Sequence, residues 1–200
     1  MSCPDMWVQL CGRTDEMYAV VEKYEEGAQF ALLQRLLGCP ELKNGLDQNL
    51  NPGDSPSSSS VGELRKSPLM DPCKLHDKAV DEFLTRFSDG SLAEANVTDM
   101  VRTTLLLYEN KGASLAGVLK ELKRPVDVRY NSYSVQMETL SLRNQYAQLD
   151  PNHYRCVILV IKCTFAPLEA KKSFGYKPFI YLEVELTYAP ALRLEQTGGS

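Results

Sequence analysis

Apolar residues follow a helical spacing in the first part of the chain and a strand-like alternation in the last part. Segments 15–37, 71–89, 97–108 and 114–123 repeat apolar positions every three or four residues, as amphipathic helices do. Residues 126–142 alternate loosely between apolar and polar, which is typical of a half-exposed strand. The pattern therefore predicts helices first and strands after.

Two later segments, 155–165 and 178–188, predict the strands of the core. The run 156–161 is apolar at every position, which indicates a strand in the middle of a sheet. Residues 178–188 alternate regularly, and at a sheet edge such a strand is able to pair with a strand of a partner. Because helices precede strands, the predicted fold class is α+β, with N-terminal helices followed by an antiparallel sheet of about three or more strands.

A change of composition divides the chain into four predicted segments. Residues 1–38 form an amphipathic helix segment, and residues 39–70 form a flexible linker rich in Ser and Pro that tethers it. Residues 71–190 form the folded α+β domain, and residues 191–200 form a disordered tail. A linker of this length inside a domain usually serves as a tether or a regulated segment.

Two serines before prolines, Ser55 and Ser67, are predicted phosphorylation sites. A phosphate adds about −1.5 to −2 charges and would bind to or release a basic surface. Mass spectrometry of the protein from cells would test both positions.

Charge is distributed unevenly along the chain. Residues 1–110 carry a net charge of −8, residues 111–177 carry +6, and residues 178–200 carry −2. The acidic and basic parts therefore attract each other, or the basic part has an acidic partner.

Motifs of catalysis and cofactor binding are few in this sequence. It contains no Gly-x-Ser-x-Gly motif and neither of the common glycine-rich phosphate-binding motifs. The two histidines are His76 and His153, and the pair Cys73 and His76 supplies only half of a zinc site. We therefore predict no metal, no cofactor and no enzymatic activity.

The start of the chain has no basic region followed by an apolar run, which argues against a secretory signal. No apolar run approaches the ~20 residues of a membrane-spanning helix. The six cysteines are then expected to be reduced. The expected location is intracellular, in the nucleus or the cytoplasm, without a membrane partner.

Residues 171–179 interleave basic and aromatic side chains. They partly resemble the Lys-Gly-Phe-Gly-Phe-type motif of RNA-recognition and cold-shock sheets, in which aromatic rings stack on bases. This resemblance implies single-stranded nucleic-acid binding as the alternative function. A solvated loop whose aromatic rings pack on the core is the other interpretation.

The function predicted from the sequence is a non-enzymatic protein–protein interaction subunit, or adaptor, of an intracellular multiprotein assembly. Other protein subunits are the expected partners, in a hetero-oligomer rather than a homo-oligomer. The chain would attach at two points, through the helix 15–37 and through a basic, aromatic rim of the sheet, which raises the effective concentration. The predicted partner-binding residues are Met17, Val21, Tyr24, Lys171, Lys172, Phe174, Tyr176, Phe179 and Tyr181.

Overall fold

A mixed β-sheet of seven strands organises the part of the chain that the computed structural model describes, residues 3–42, 45–48, 60–83, 97–108, 114–147, 155–168 and 178–189. The strands are β1 (Leu46–Gln48), β2 (Gly62–Lys66), β3 (Val101–Leu107), β4 (Val126–Tyr130), β5 (Tyr133–Asn144), β6 (Val157–Pro167) and β7 (Phe179–Tyr188). Their order across the sheet is β1-β2-β3-β7-β6-β5-β4. The pairs β1–β2 and β3–β7 are parallel, and the other neighbours are antiparallel.

Three helices accompany the sheet in these residues: α1 (Cys3–Leu37), α2 (Pro72–Phe83) and α3 (Leu115–Leu122). The predicted helix 114–123 is confirmed by α3, whose N-cap residue Ser114 accepts a hydrogen bond from the backbone N–H of Gly117. Arg35 of α1 is buried and donates to the backbone oxygens of Glu121 and Arg124, so it caps the last turn of α3. Burial lowers the pKa of Arg35 to about 10, which leaves it charged at neutral pH.

Helix α1 packs on one face of the sheet and shares its core. Val21, Tyr24, Ala28 and Leu32 are buried at the spacing that the sequence predicts for the apolar stripe. The ring of Tyr24 lies 4.4 Å from the ring of Phe165 on β6, measured between centroids. The helix and the sheet are therefore parts of one hydrophobic core.

Glycine at position 27 allows this close packing. A Cβ atom there would lie 3.1 Å from ring carbons of both Phe165 and Tyr130. The sequence presents Gly27 as a defect in a helix interior, with a cost of roughly 1 kcal/mol relative to alanine. In the fold, the missing side chain makes room for two aromatic rings.

The predicted fold class is wrong in its topology. The sheet has seven strands and is mixed, and β1, β2 and β3 come before α3 instead of after all the helices. Residues 97–108, predicted as a helix, contain strand β3. Their apolar side chains are buried on both faces of the sheet, and a run such as Leu105 to Leu107 fits a buried strand as well as a helix.

Two further parts of the fold prediction are wrong. Residues 126–142 are not one strand but the hairpin β4–β5, which turns at Asn131 with a positive φ of 52°. Strand β7 lies between β3 and β6, so both of its edges are already paired within the sheet. The prediction of a helix tethered by a flexible linker is also wrong. Helix α1 packs in the core of the sheet, and the predicted linker region 39–70 contains strands β1 and β2. The division into four domains stays a prediction.

Gly62 begins β2 at a place where there is no room for a side chain. A Cβ atom there would lie 2.9 Å from the backbone oxygen of Leu106 on the neighbouring strand. Gly62→Ala is therefore expected to lower the free energy of unfolding by about 1–3 kcal/mol, because a backbone atom must move. Urea denaturation measures this change. Gly38→Ala is the control, since its nearest neighbours lie at 3.5 Å or more, and an equal loss in both variants would contradict the packing argument.

Candidate functional site

Charged and polar side chains cover the face of the sheet that points away from α1. The strand registers place these residues on that side, which we call the polar face. Its members include Glu63, Arg65, Arg102, Thr104, Asp127, Arg129, Gln136, Glu138, Arg143, Lys162, Thr164, Phe179, Tyr181, Glu183 and Glu185. They come from six strands, so the fold gathers groups that are far apart in the sequence.

Glu183 lies at the centre of the polar face and is 5% exposed. Its Oε1 is 3.1 Å from Nε of Arg102 on β3, and its Oε2 is 3.6 Å from Nη2 of Arg143 on β5. The two arginine side chains are 48% and 65% exposed, so each guanidinium keeps an open side. We call Arg102 and Arg143 the arginine pair. A buried carboxylate thus holds two exposed cations in position.

A second ion pair lies on β2, toward one edge of the sheet. Glu63 is 1% exposed and accepts hydrogen bonds from Nη2 of Arg65 at 2.9 Å and from the hydroxyl of Tyr108 at 3.2 Å. Burial and the Glu63 carboxylate raise the pKa of Tyr108 to about 12, so its hydroxyl stays protonated at neutral pH. Arg65 is a further cation on the polar face, 46% exposed.

Aromatic and acidic side chains lie on the part of the polar face that is away from β2. The rings of Phe179 and Tyr181 meet edge to face with centroids 5.4 Å apart, and Nζ of Lys162 lies 4.4 Å from the centroid of Phe179. A cavity of about 490 Å³ opens beside them. The residues that line it are Pro125, Val126, Asp127, Gln136, Met137, Glu138 and Thr164.

This arrangement suits a ligand that is anionic at one end and ring-shaped at the other. Guanidinium groups present planar forks of donors that match phosphate oxygens. Aromatic rings and carboxylates at the other end offer stacking and hydrogen-bond acceptors. Within the described residues, no group of three or more His, Cys, Asp and Glu side chains is placed to hold a metal ion.

The structure places the residues predicted from the sequence in different environments. Lys171, Lys172, Phe174 and Tyr176 lie outside the described residues, as do Ser55 and His153. Phe179 and Tyr181 lie half-buried on the polar face.

The remaining predicted residues are on helices or beside strands. Val21 and Tyr24 are buried in the core, and Met17 packs half-buried against it. Ser67 is half-buried and follows β2, where its backbone N–H donates to the oxygen of Arg102. All the assignments to partner binding and phosphorylation stay predictions. On α2, His76 is buried and Cys73 is exposed.

The arginine pair was missed by reasoning from the sequence. Arg102 lies within the predicted helix 97–108, so no pattern in the sequence places it opposite Glu183. Glu183 and Glu185 fall on the polar side of the alternation in residues 178–188, a side that is usually solvated, whereas Glu183 is buried. The alternation of apolar and polar residues at the start of 101–107 is a signal for a strand. The run of leucines that follows it fits a helix equally well and hides this signal.

Comparison with solved structures relates this fold to known proteins, whereas the sequence matches no family model and no curated protein. Small alarmone synthetase 1 from Bacillus subtilis is similar at a TM-score of 0.53 and 10% identity, over 92% of this chain and 77% of that one. Small alarmone synthetase 2 from the same organism gives 0.49 and 11%, over 90% and 76%. The synthetase 1 structure bound to its product pppGpp gives 0.45 and 10%, over 71% of this chain and 63% of that one.

The likeness to synthetase 1 establishes the fold and corrects the predicted function. The similar protein, small alarmone synthetase 1, is an enzyme. In the present chain, the polar groups lie on one face of the sheet. The prediction of a non-enzymatic interaction subunit or adaptor, with nucleic-acid binding through 171–179 as its alternative, is therefore wrong. No helix in the described residues is long and apolar enough to cross a membrane.

Proposed function

We propose that this chain is an enzyme that binds nucleotides on the polar face and transfers a pyrophosphoryl group between them. The fold is similar to that of a small alarmone synthetase, whose product is pppGpp. The observation that carries the proposal is the arginine pair, because two exposed guanidinium groups converge on one buried carboxylate at the centre of the sheet.

The arginine pair supplies the phosphate site in this proposal. Hydrogen bonds between guanidinium groups and phosphate oxygens are charge-assisted and frequently bidentate. Glu183 acts as a positioning residue, since it holds Arg102 from one side and Arg143 from the other. Lys162 and Arg65 add further positive charge on the same face. Fixed cations of this kind also stabilise the charge that develops when a phosphoryl group is transferred.

Phe179 and Tyr181 supply the site for a nucleoside. Tyr181 lies two residues from Glu183 along β7, which is about 7 Å at the rise of a strand. A base stacked on either ring would therefore have its phosphates near the arginine pair. Stacking of a base on an aromatic side chain contributes about 1–3 kcal/mol.

The proposed reaction joins a hydroxyl oxygen of the acceptor nucleotide to the β-phosphorus of a donor triphosphate. The bond from that phosphorus to the oxygen bridging the α- and β-phosphates breaks, and a nucleoside monophosphate leaves. A carboxylate accepts the hydroxyl proton, and Glu185 is the candidate because it lies half-buried beside Thr104 on the polar face.

An activity assay with ATP and GTP tests this function. We expect anion-exchange chromatography to show AMP and a product of higher charge than GTP in equal amounts. Glu185→Gln is expected to slow turnover about 100-fold or more, the usual range for loss of a general base, while nucleotide binding stays within about twofold. The variant Lys74→Ala, at an exposed position of helix α2 and away from the polar face, is the control and should keep full activity. Absence of AMP and of the charged product would refute the transfer reaction.

A further inference from the structure

A second cavity, of about 230 Å³, lies on the opposite side of the sheet between α1 and the strands β1, β2 and β4. Gln29, Phe30 and Leu33 of α1 line it, together with Lys66 of β2 and Tyr130 of β4. Strands β1 and β2 lie at one edge of the sheet and β4 lies at the other. Because residues of both edges line one cavity with α1, the sheet curls toward the helix there. It is separate from the polar face.

A buried amide at this cavity lacks a hydrogen-bond acceptor. Gln29 is 2% exposed, and its Oε1 accepts a hydrogen bond from Thr103 at 2.7 Å. Its Nε2 has no partner within the described part of the chain. An unsatisfied buried donor costs about 1–3 kcal/mol, so a ligand with an acceptor atom would gain affinity here. A cationic amine offers no acceptor and does not fit this requirement.

Aromatic rings form one wall of the cavity. The centroids of Phe30 and Tyr130 lie 5.1 Å apart, and the hydroxyl of Tyr130 donates to Glu26 at 3.2 Å. Gly27 allows Tyr130 to lie directly on the helix, since a Cβ there would be 3.1 Å from its ring. The Tyr130 ring is held by Phe30 on one side and by Glu26 at its hydroxyl, and it offers a flat surface for a planar ligand.

Charge and size exclude a phosphorylated ligand from this cavity. Glu26 and Lys66 line the cavity, and the neighbouring Glu25 interacts electrostatically with Lys66, so two carboxylates lie near one ammonium group. Phosphate groups would be repelled by this net negative charge. The volume is also below the roughly 300–1,000 Å³ of pockets for larger ligands. A single uncharged ring system fits better.

We propose that this cavity binds an uncharged nucleobase, free or as part of a nucleoside. The base lies against Tyr130, accepts a hydrogen bond from Nε2 of Gln29 and donates to the Glu26 carboxylate. A nucleobase carries acceptors, donors and a flat ring together, which is the combination that these side chains require. This site does not depend on the function proposed for the polar face.

Calorimetric titration of the full chain with free adenine, cytosine and uracil and with the four common ribonucleosides tests the site. At least one of these compounds is expected to bind. Leu33→Trp fills the cavity without a change of charge and is expected to reduce the affinity more than about tenfold, which corresponds to 1.4 kcal/mol. Gln29→Glu replaces the donor with an acceptor of the same shape and is expected to cause a similar loss.

The double variant Arg102→Ala/Arg143→Ala is the matched control, because it changes only the polar face. Nucleoside affinity is expected to stay within about twofold in this variant, well under the tenfold change that 1.4 kcal/mol represents. No binding by any compound, or equal binding by Leu33→Trp, would overturn the site. Loss of nucleoside binding in the arginine variant alone would place the nucleoside on the polar face and would also overturn it. Comparison of bases with nucleosides shows which form the cavity takes.

Discussion

Replacing Arg102 and Arg143 together with alanine is expected to weaken nucleotide binding at least about 100-fold. Each guanidinium is expected to form charge-assisted hydrogen bonds with phosphate, and such bonds contribute about 1.5–3 kcal/mol each. Two of them correspond to a change in affinity of roughly 10²- to 10⁴-fold. Calorimetric titration with GTP measures the loss.

A loss of binding in the double variant must be distinguished from a loss of folding stability. Removal of both arginines leaves Glu183 buried without its cations, and loss of a buried ion-pair partner costs about 3–5 kcal/mol when burial is complete. The arginine side chains are about half exposed, so the actual cost is smaller. Adding Glu183→Gln removes the unpaired charge and should restore thermal stability without restoring binding. Recovery of binding in this triple variant would contradict the role of the arginine pair.

Phe165→Ala is expected to lower the free energy of unfolding by about 3–5 kcal/mol, the usual loss for a buried phenylalanine. Phe165 is 1% exposed, and its ring packs against Tyr24 and lies 3.1 Å from where a Cβ atom of residue 27 would be. The variant therefore opens a cavity between helix and sheet. Chemical denaturation measures the loss. Leu140→Ala, at an exposed position in β5, is the control and should change stability by less than about 0.5 kcal/mol.

A double-mutant cycle with Tyr24→Ala tests whether α1 is docked in solution. Aromatic pairs couple by about 0.5–1.5 kcal/mol beyond their burial, so the two substitutions should not be additive. Full additivity would mean that the helix does not rest on Phe165. That result would support a tethered helix and contradict the shared core.

Local sequence patterns predict part of this fold well. The apolar stripe of α1 and the helix α3 depend on residues three or four positions apart, and both are confirmed. The alternation in β7 also predicts its buried side, because Ile180, Leu182, Val184 and Leu186 all face the core. These features need no information about distant parts of the chain.

Topology could not be predicted in the same way. Strand β7 pairs in parallel with β3, about 80 residues earlier, and no local pattern reports such a partner. The run of leucines in β3 is compatible with a helix or a strand until its neighbours are known. The arginine pair depends on this topology, since Arg102 meets Glu183 only because β3 lies beside β7. The likeness of this fold to that of a synthetase is therefore visible only in the structure.

The most direct test of the central claim is a nuclear magnetic resonance titration of the arginine Nε–H signals with GTP. If the polar face binds nucleotide, the signals of Arg102 and Arg143 shift with a common saturation curve, and the signal of Arg35, which is buried on the opposite side of the sheet, stays in place. Saturable GTP binding that leaves Arg102 and Arg143 unchanged, or no binding at all, would contradict the account.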